Sequence, residues 1–161
     1  MEENSLRQGT FFGINAGVLT TAGMLSGISQ STNNPMIIIV SIISLAISDS
    51  ISEGYSLYLS KKAEKIEDNT NGPIQSLLTL ISTKILVVFS FLIPLLFSYN
   101  LKYYKNLIWP IVWSSIILII TDYKISKLRK ENILKYIFPH ILLVSFIIIS
   151  TKFFGKIVSK Y

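Results

Sequence analysis

Two carboxylates, Asp49 and Glu53, stand four residues apart inside an otherwise uncharged apolar run, within Ser48-Asp49-Ser50-Ile51-Ser52-Glu53-Gly54-Tyr55-Ser56. On a helix that spacing puts both on one face. Ser41, Ser44, Ser48, Ser52, Ser56 and Ser60 extend the face into a polar stripe along most of the segment. Carboxylate oxygens are hard ligands that suit divalent cations, and they can also carry protons. In a membrane span each carboxylate costs roughly 2.5–3.5 kcal/mol, so both should face a protein interior or an aqueous path. The competing reading is a buried ion-pair or hydrogen-bond cluster that only holds helices together. The length of the stripe favours a cation path.

Lys84 lies about ten residues into the next apolar segment, at a depth comparable with the two carboxylates. An ammonium so placed calls for an acidic partner, and one of the two carboxylates is the natural choice. Such a pair would offset part of the charge that attracts a cation. Snorkelling to the interface is the alternative. Met24 offers a soft thioether to a transition metal, although a lone Met in a span is more often packing. His140, the single histidine, could relay protons or bind metal; a satisfied interfacial residue is the blander reading. Lys124 to Lys130 reads as a solvated loop touching anionic lipid headgroups. Glu64, Glu67 and Asp68 could gather cations, but interleaved lysines make a plain linker the better reading.

The elements that must position these residues follow from charge distribution. Of 161 residues only 15% are charged, against roughly a quarter in soluble domains, and the charges cluster between long uncharged runs. About 20 apolar helical residues cross a hydrocarbon core of roughly 30 Å. The expectation is an all-α, single-domain polytopic protein with five transmembrane helices, over approximately 11–28, 36–59, 74–99, 107–121 and 136–154. Connections fall at Ser31 to Pro35, Lys61 to Pro73, Asn100 to Asn106 and Asp122 to Lys135. The N-terminal residues, with Glu2, Glu3 and Arg7, lack a basic signal-peptide region, so the first helix is expected to be retained. With the N-terminus in the cytosol, nine Lys and Arg fall inside and five outside, with Lys84 within a span, as the positive-inside rule asks. The net charge of +6 is therefore a topology signal, and no nucleic-acid partner is expected. Gly13, Gly17, Gly23 and Gly27 form two G-x-x-x-G pairs that permit close helix approach. Pro94 and Pro110 are expected to bend the third and fourth helices. The absence of cysteine excludes disulfides and thiolate metal sites.

Phe12-Gly13-Ile14-Asn15-Ala16-Gly17-Val18 resembles the Phe-Gly-x-Asn-Asp-Gly opening of the vacuolar iron transporter family. Ser48 to Ser56, centred on Glu53, resembles that family's Ser-x-x-x-Gly-Glu-Tyr-x-Ser signature, with Ser52 and Gly54 where the family has Gly and Tyr. Ile93-Pro94-Leu95-Leu96 resembles its Ile-Pro-Leu-Leu. The resemblance implies a homodimer that exports ferrous iron or manganese from the cytosol in exchange for protons, along a path lined by first- and second-helix residues. It implies that Glu53 is a pathway carboxylate and Met24 a nearby ligand, with Thr20 one turn from Met24. The chain departs from the family in three ways. Ala16 replaces the first-helix Asp, Asp49 occupies a position usually small or apolar, and the long metal-binding segment after the second helix is reduced to Lys61–Pro73.

The functional expectation is thus proton-coupled transport of ferrous iron or manganese as cargo, with no resident cofactor and no enzymatic activity. Asp49, Glu53 and Met24 would hold the metal, and Asn15, Thr20, Ser52, Ser56 and Lys84 would line the path. The membrane would be the plasma membrane or that of a vacuole-like compartment. The alternative is a non-transporting scaffold or assembly subunit in which Lys84 forms a structural ion pair with Asp49 or Glu53.

Overall fold

The computed structural model describes residues 2–32, 34–64, 71–100 and 108–159. Residues 101–106 of the expected loop with Lys102 and Lys105, residues 65–70 of the expected linker with Lys65, Glu67 and Asp68, and Lys160 lie outside them, whereas Asn100 ends a helix. Among the described residues all regular structure is helical: α1 Glu2–Ser31, α2 Pro35–Ala63, α3 Gly72–Ser90, α4 Leu92–Asn100, α5 Ile108–Arg129 and α6 Leu134–Val158. Asn34 caps α2, its side chain accepting from the Met36 amide, and Pro35 stands in the first turn where a missing N–H costs nothing.

The third expected helix is two, α3 and α4, interrupted at Phe91. Pro94 has no N–H for the Ser90 carbonyl one turn back, and its ring crowds that carbonyl. The Phe91 amide tightens onto Val88 O at 3.2 Å and the ladder restarts from Leu95 to Phe91 O at 3.3 Å. Pro110 was expected to bend its helix, but it stands in the first turn of α5, where proline fits without a bend. The internal proline of α6 is Pro139.

Among the described residues four helical stretches are long and apolar enough to cross a membrane: Glu3–Ser31, Pro35–Ala63, Gly72–Phe97 and Leu134–Val158. α5 runs on well past the expected end at Thr121, to Arg129. Its uncharged part, Ile108 to Thr121, is about 14 residues or roughly 21 Å at ~1.5 Å per residue, shorter than those four stretches. The surface is apolar too, with Leu86, Phe97, Phe146 and Phe154 each more than 60% exposed, as suits a multi-pass protein surrounded by lipid and not a soluble bundle.

α1 is the hub, lying against α2, α3, α5 and α6. Gly9, Gly13 and Gly17 recur every fourth residue on its α3 side. A Cβ on Gly9 would sit 3.0 Å from Thr79 Cβ, on Gly13 2.7 Å from Leu80 O, and on Gly17 3.2 Å from Val87. Gly23 and Gly27 do the same toward α6, against Ile147 and Thr151. Both G-x-x-x-G pairs are therefore occupied within one chain. The apolar core, including Val18, Leu25, Ile42, Val88, Phe91 and Leu95, fills the space behind these seams.

Gly13→Leu should wedge α1 away from the α3 backbone and lower stability by about 1–3 kcal/mol, the usual cost of overpacking. Leu86→Ala, on the exposed side of α3, should leave it nearly unchanged. Thermal unfolding in detergent measures both, and equal midpoints for the two variants would contradict the seam.

Candidate functional site

α2 buries a ridge of residues at helical spacing, Ile38, Ile42, Ala46, Ser50, Gly54 and Leu57. Gly54 lets α2 close on Ile81 of α3, where a Cβ would sit 2.6 Å from the Ile81 side chain. Asp49 and Glu53 flank this ridge. α3 presents its own ridge, Ser76, Leu80, Lys84 and Val88. Lys84, whose side chain is fully buried, reaches from the α3 ridge to the two carboxylates that flank the ridge of α2.

Lys84 Nζ lies 2.6 Å from Asp49 Oδ2 and 2.6 Å from Glu53 Oε2. It donates a hydrogen bond to Asp49. The Glu53 contact is an ion contact without hydrogen-bond geometry, which leaves that buried oxygen without a hydrogen-bond partner. The sequence called for one acidic partner, and the structure supplies both. With all three groups ionised the cluster carries one net negative charge. Each carboxylate side chain keeps 27% exposure, on the flank where helical spacing sets Ser52 and Ser56. Ser44, Ser48, Ser52, Ser56 and Ser60 are all exposed on this chain, so the serine stripe faces outward. Ser48 and Ser56 donate to the Ser44 and Ser52 carbonyls one turn back, which lowers the cost of a hydroxyl in an apolar setting.

The remaining expected site residues are placed differently. Met24 packs against the apolar core, and Thr20 Oγ1 donates to Ala16 O at 2.8 Å. Asn15 Oδ1 is buried without a hydrogen-bond partner among the described residues. Among those residues no three His, Cys, Asp or Glu side chains gather where a metal could be held by such ligands alone. A cation at Asp49 and Glu53 would have to take the place of the Lys84 ammonium or share the carboxylates with it.

A second polar cluster went unread in the sequence. Asp122, placed there at the start of a loop, is helical and 1% exposed, and its Oδ1 lies 2.7 Å from Nδ1 of His140, whose side chain is 20% exposed. The α5–α6 connection is short, so positions equidistant from Glu131 face each other across the hairpin. Asp122 is nine residues before it and His140 nine after. That symmetry was available in the sequence, but the adjoining lysines made Asp122 look like part of a solvated loop.

Lys84→Met should leave two carboxylates at a helix interface without their cation and lower stability by on the order of 3 kcal/mol. Adding Asp49→Asn and Glu53→Gln to it should recover much of the loss. Chemical unfolding followed through a double-mutant cycle measures the coupling; additive effects would mean that the ion pairs contribute nothing. Compared with protein-family models, curated proteins and solved structures, the chain has no match.

Proposed function

We propose that this protein is a five-span membrane transporter, N-terminus in the cytosol, that works as a homodimer and moves a divalent transition metal out of the cytosol in exchange for protons. Ferrous iron or manganese is the cargo that the family resemblance implies. The observation that carries this reading is the cluster of Asp49 and Glu53 on Lys84, buried between spans yet open along one edge to a row of hydroxyls. Such a stripe is poorly suited to lipid and well suited to a water-bearing path. Lys84 acts here as a tethered cation: it holds the two carboxylates together while the site has no cargo, and an arriving ion competes with it. α5 supplies the fifth crossing despite its shorter apolar length, because Asp122 is buried against His140 at 2.7 Å instead of lying bare in lipid.

Two sets of measurements bear on this. In proteoliposomes with a pH gradient, manganese or ferrous iron flux should fall at least about tenfold in Asp49→Asn and in Glu53→Gln, about the worth of one charge-assisted contact. Unchanged flux in both would sink the mechanism. For the dimer, the absence of cysteine from the chain makes single replacements clean probes. Ser48→Cys on the serine stripe should cross-link two copies through a self-complementary contact, whereas Leu86→Cys, outward on α3, should not. The reverse pattern would move the interface elsewhere.

A second reading is favoured by one specific fact, that both carboxylates are already engaged by Lys84 at 2.6 Å. In that reading the chain is a membrane scaffold or assembly subunit and the cluster is a structural lock. Strong stability coupling, no flux and no thermal shift with manganese would together select it.

A further inference from the structure

Between α5 and α6 runs a half-enclosed groove of about 420 Å³, walled mainly by aliphatic side chains such as Leu118, Ile141, Val144 and Ile148. Its volume falls within the roughly 300–1,000 Å³ range of small-molecule sites, which likewise combine apolar walls with a few polar groups. The groove has two different ends. Ile111 and Ile149 close one, and Asp122 and His140 stand at the other, beside the α5–α6 connection. From Ile111 to Asp122 is eleven residues of helix, about 16 Å at ~1.5 Å per residue. That is close to the depth of one leaflet, half of a hydrocarbon core of roughly 30 Å.

The polar end is cationic beyond the dyad. Arg129 lies seven residues past Asp122, hence on the same face of α5, and Lys124, Lys127 and Lys130 are exposed around it. The one acid of the connection, Glu131, accepts from Lys135 at 2.9 Å and from the Tyr136 hydroxyl at 2.7 Å. Those hydrogen bonds hold its carboxyl below the usual carboxylate range, and it does not cancel the other four cations. At His140, Nδ1 is committed to Asp122, which leaves Nε2 as the ring nitrogen that can meet a ligand. Ser145 is five residues along α6, about 7 Å of rise, so no serine hydroxyl of that helix stands level with the dyad. Ser115 Oγ donates to Ile111 O at 2.7 Å. The arrangement is a headgroup contact above an aliphatic slot, not a nucleophile with its base.

We propose that this groove binds one acyl chain of an anionic phospholipid from the leaflet facing the α5–α6 connection, with Arg129 meeting the phosphate and His140, oriented by Asp122, meeting the glycerol ester. The order of the three contacts along the groove, cation, dyad and aliphatic wall, matches the order of phosphate, ester and chain in such a lipid. This site is separate from the Lys84 cluster and does not depend on transport.

The test is native mass spectrometry of the full chain released from detergent, titrated with phosphatidylglycerol, phosphatidylcholine of the same chains, or oleate. One phosphatidylglycerol per protomer should be retained, at least about tenfold more tightly than phosphatidylcholine. Ser145→Trp, which fills the groove, should weaken phosphatidylglycerol about tenfold, and Ile149→Trp serves if that variant does not fold. Arg129→Glu should abolish the preference over phosphatidylcholine, and His140→Ala should weaken both lipids. Phe146→Trp, on the same helix outside the groove, should change nothing. Equal retention of the two phospholipids, undiminished binding in the groove-filling variants, or oleate retained in place of phosphatidylglycerol would each overturn the proposal. So would loss of a protein dimer on filling the groove, which would make a second copy its occupant.

Discussion

An ammonium group withdrawn completely from water must be matched by negative charge, because attraction and desolvation both grow as the local dielectric falls. Lys84 imposes that requirement on the whole chain. Its side chain is fully buried midway along α3, and its two partners come from a single turn of α2. Meeting the requirement sets the rotation of α2 about its own axis and its height against α3, since a shift of one turn would leave at most one of the two carboxylates at the ammonium. The neighbouring small residues serve the same end. Gly54 lets α2 approach Ile81, and Gly17 of α1 closes over the stem of Lys84, where a Cβ would sit 3.3 Å from Lys84 Cγ. The glycine seam and the charge cluster are therefore parts of one arrangement, in which a close backbone approach excludes water from an ion cluster that excess space would hydrate.

The same constraint recurs between α5 and α6, where Asp122 is buried against His140. α1 touches both helix pairs, and its two glycine runs face α3 and α6. The molecule is thus organised as two polar contacts on either side of a hub helix, each joining neighbours across a short hairpin or linker, with apolar side chains filling the remainder and covering the outside. The two contacts differ in what they leave over. Around Lys84 two carboxylates share one ammonium and reach a hydroxyl-lined edge. Around Asp122 the dyad stands at one end of an aliphatic groove with cations beyond it. On the readings proposed above, the first arrangement serves a small cation and the second the head and chain of an amphiphile.

Hydroxyl groups along α2 illustrate how an outward polar face is tolerated. Ser41, Ser48 and Ser56 return their protons to carbonyls one turn back, so their donors are satisfied within the helix. The oxygen lone pairs still face outward and can be reached by water or by another helix. α2 accordingly satisfies these hydroxyl donors by itself yet carries a face that lipid hydrocarbon cannot match.

Much of this was legible in the amino-acid order. Four-residue spacing alone set Asp49 and Glu53 on one face, the depth of Lys84 called for an acid, the glycine periodicity announced close helix contacts, and uncharged length marked the four stretches able to cross a membrane. These are properties of a single helix, decided by its own geometry. What faced each helix was not. That both carboxylates share Lys84, that the glycine pairs meet α3 and α6 inside one chain, that Met24 packs in the core, and that Asp122 is buried on His140 all depend on the angles and heights at which helices pack. Those are settled by contacts between residues on different helices, and only for Asp122 and His140, set equally about a short connection, did spacing hold a clue. Pro94 and Pro110 show the division most simply: the same residue breaks one helix and begins another, according to where in the helix it falls.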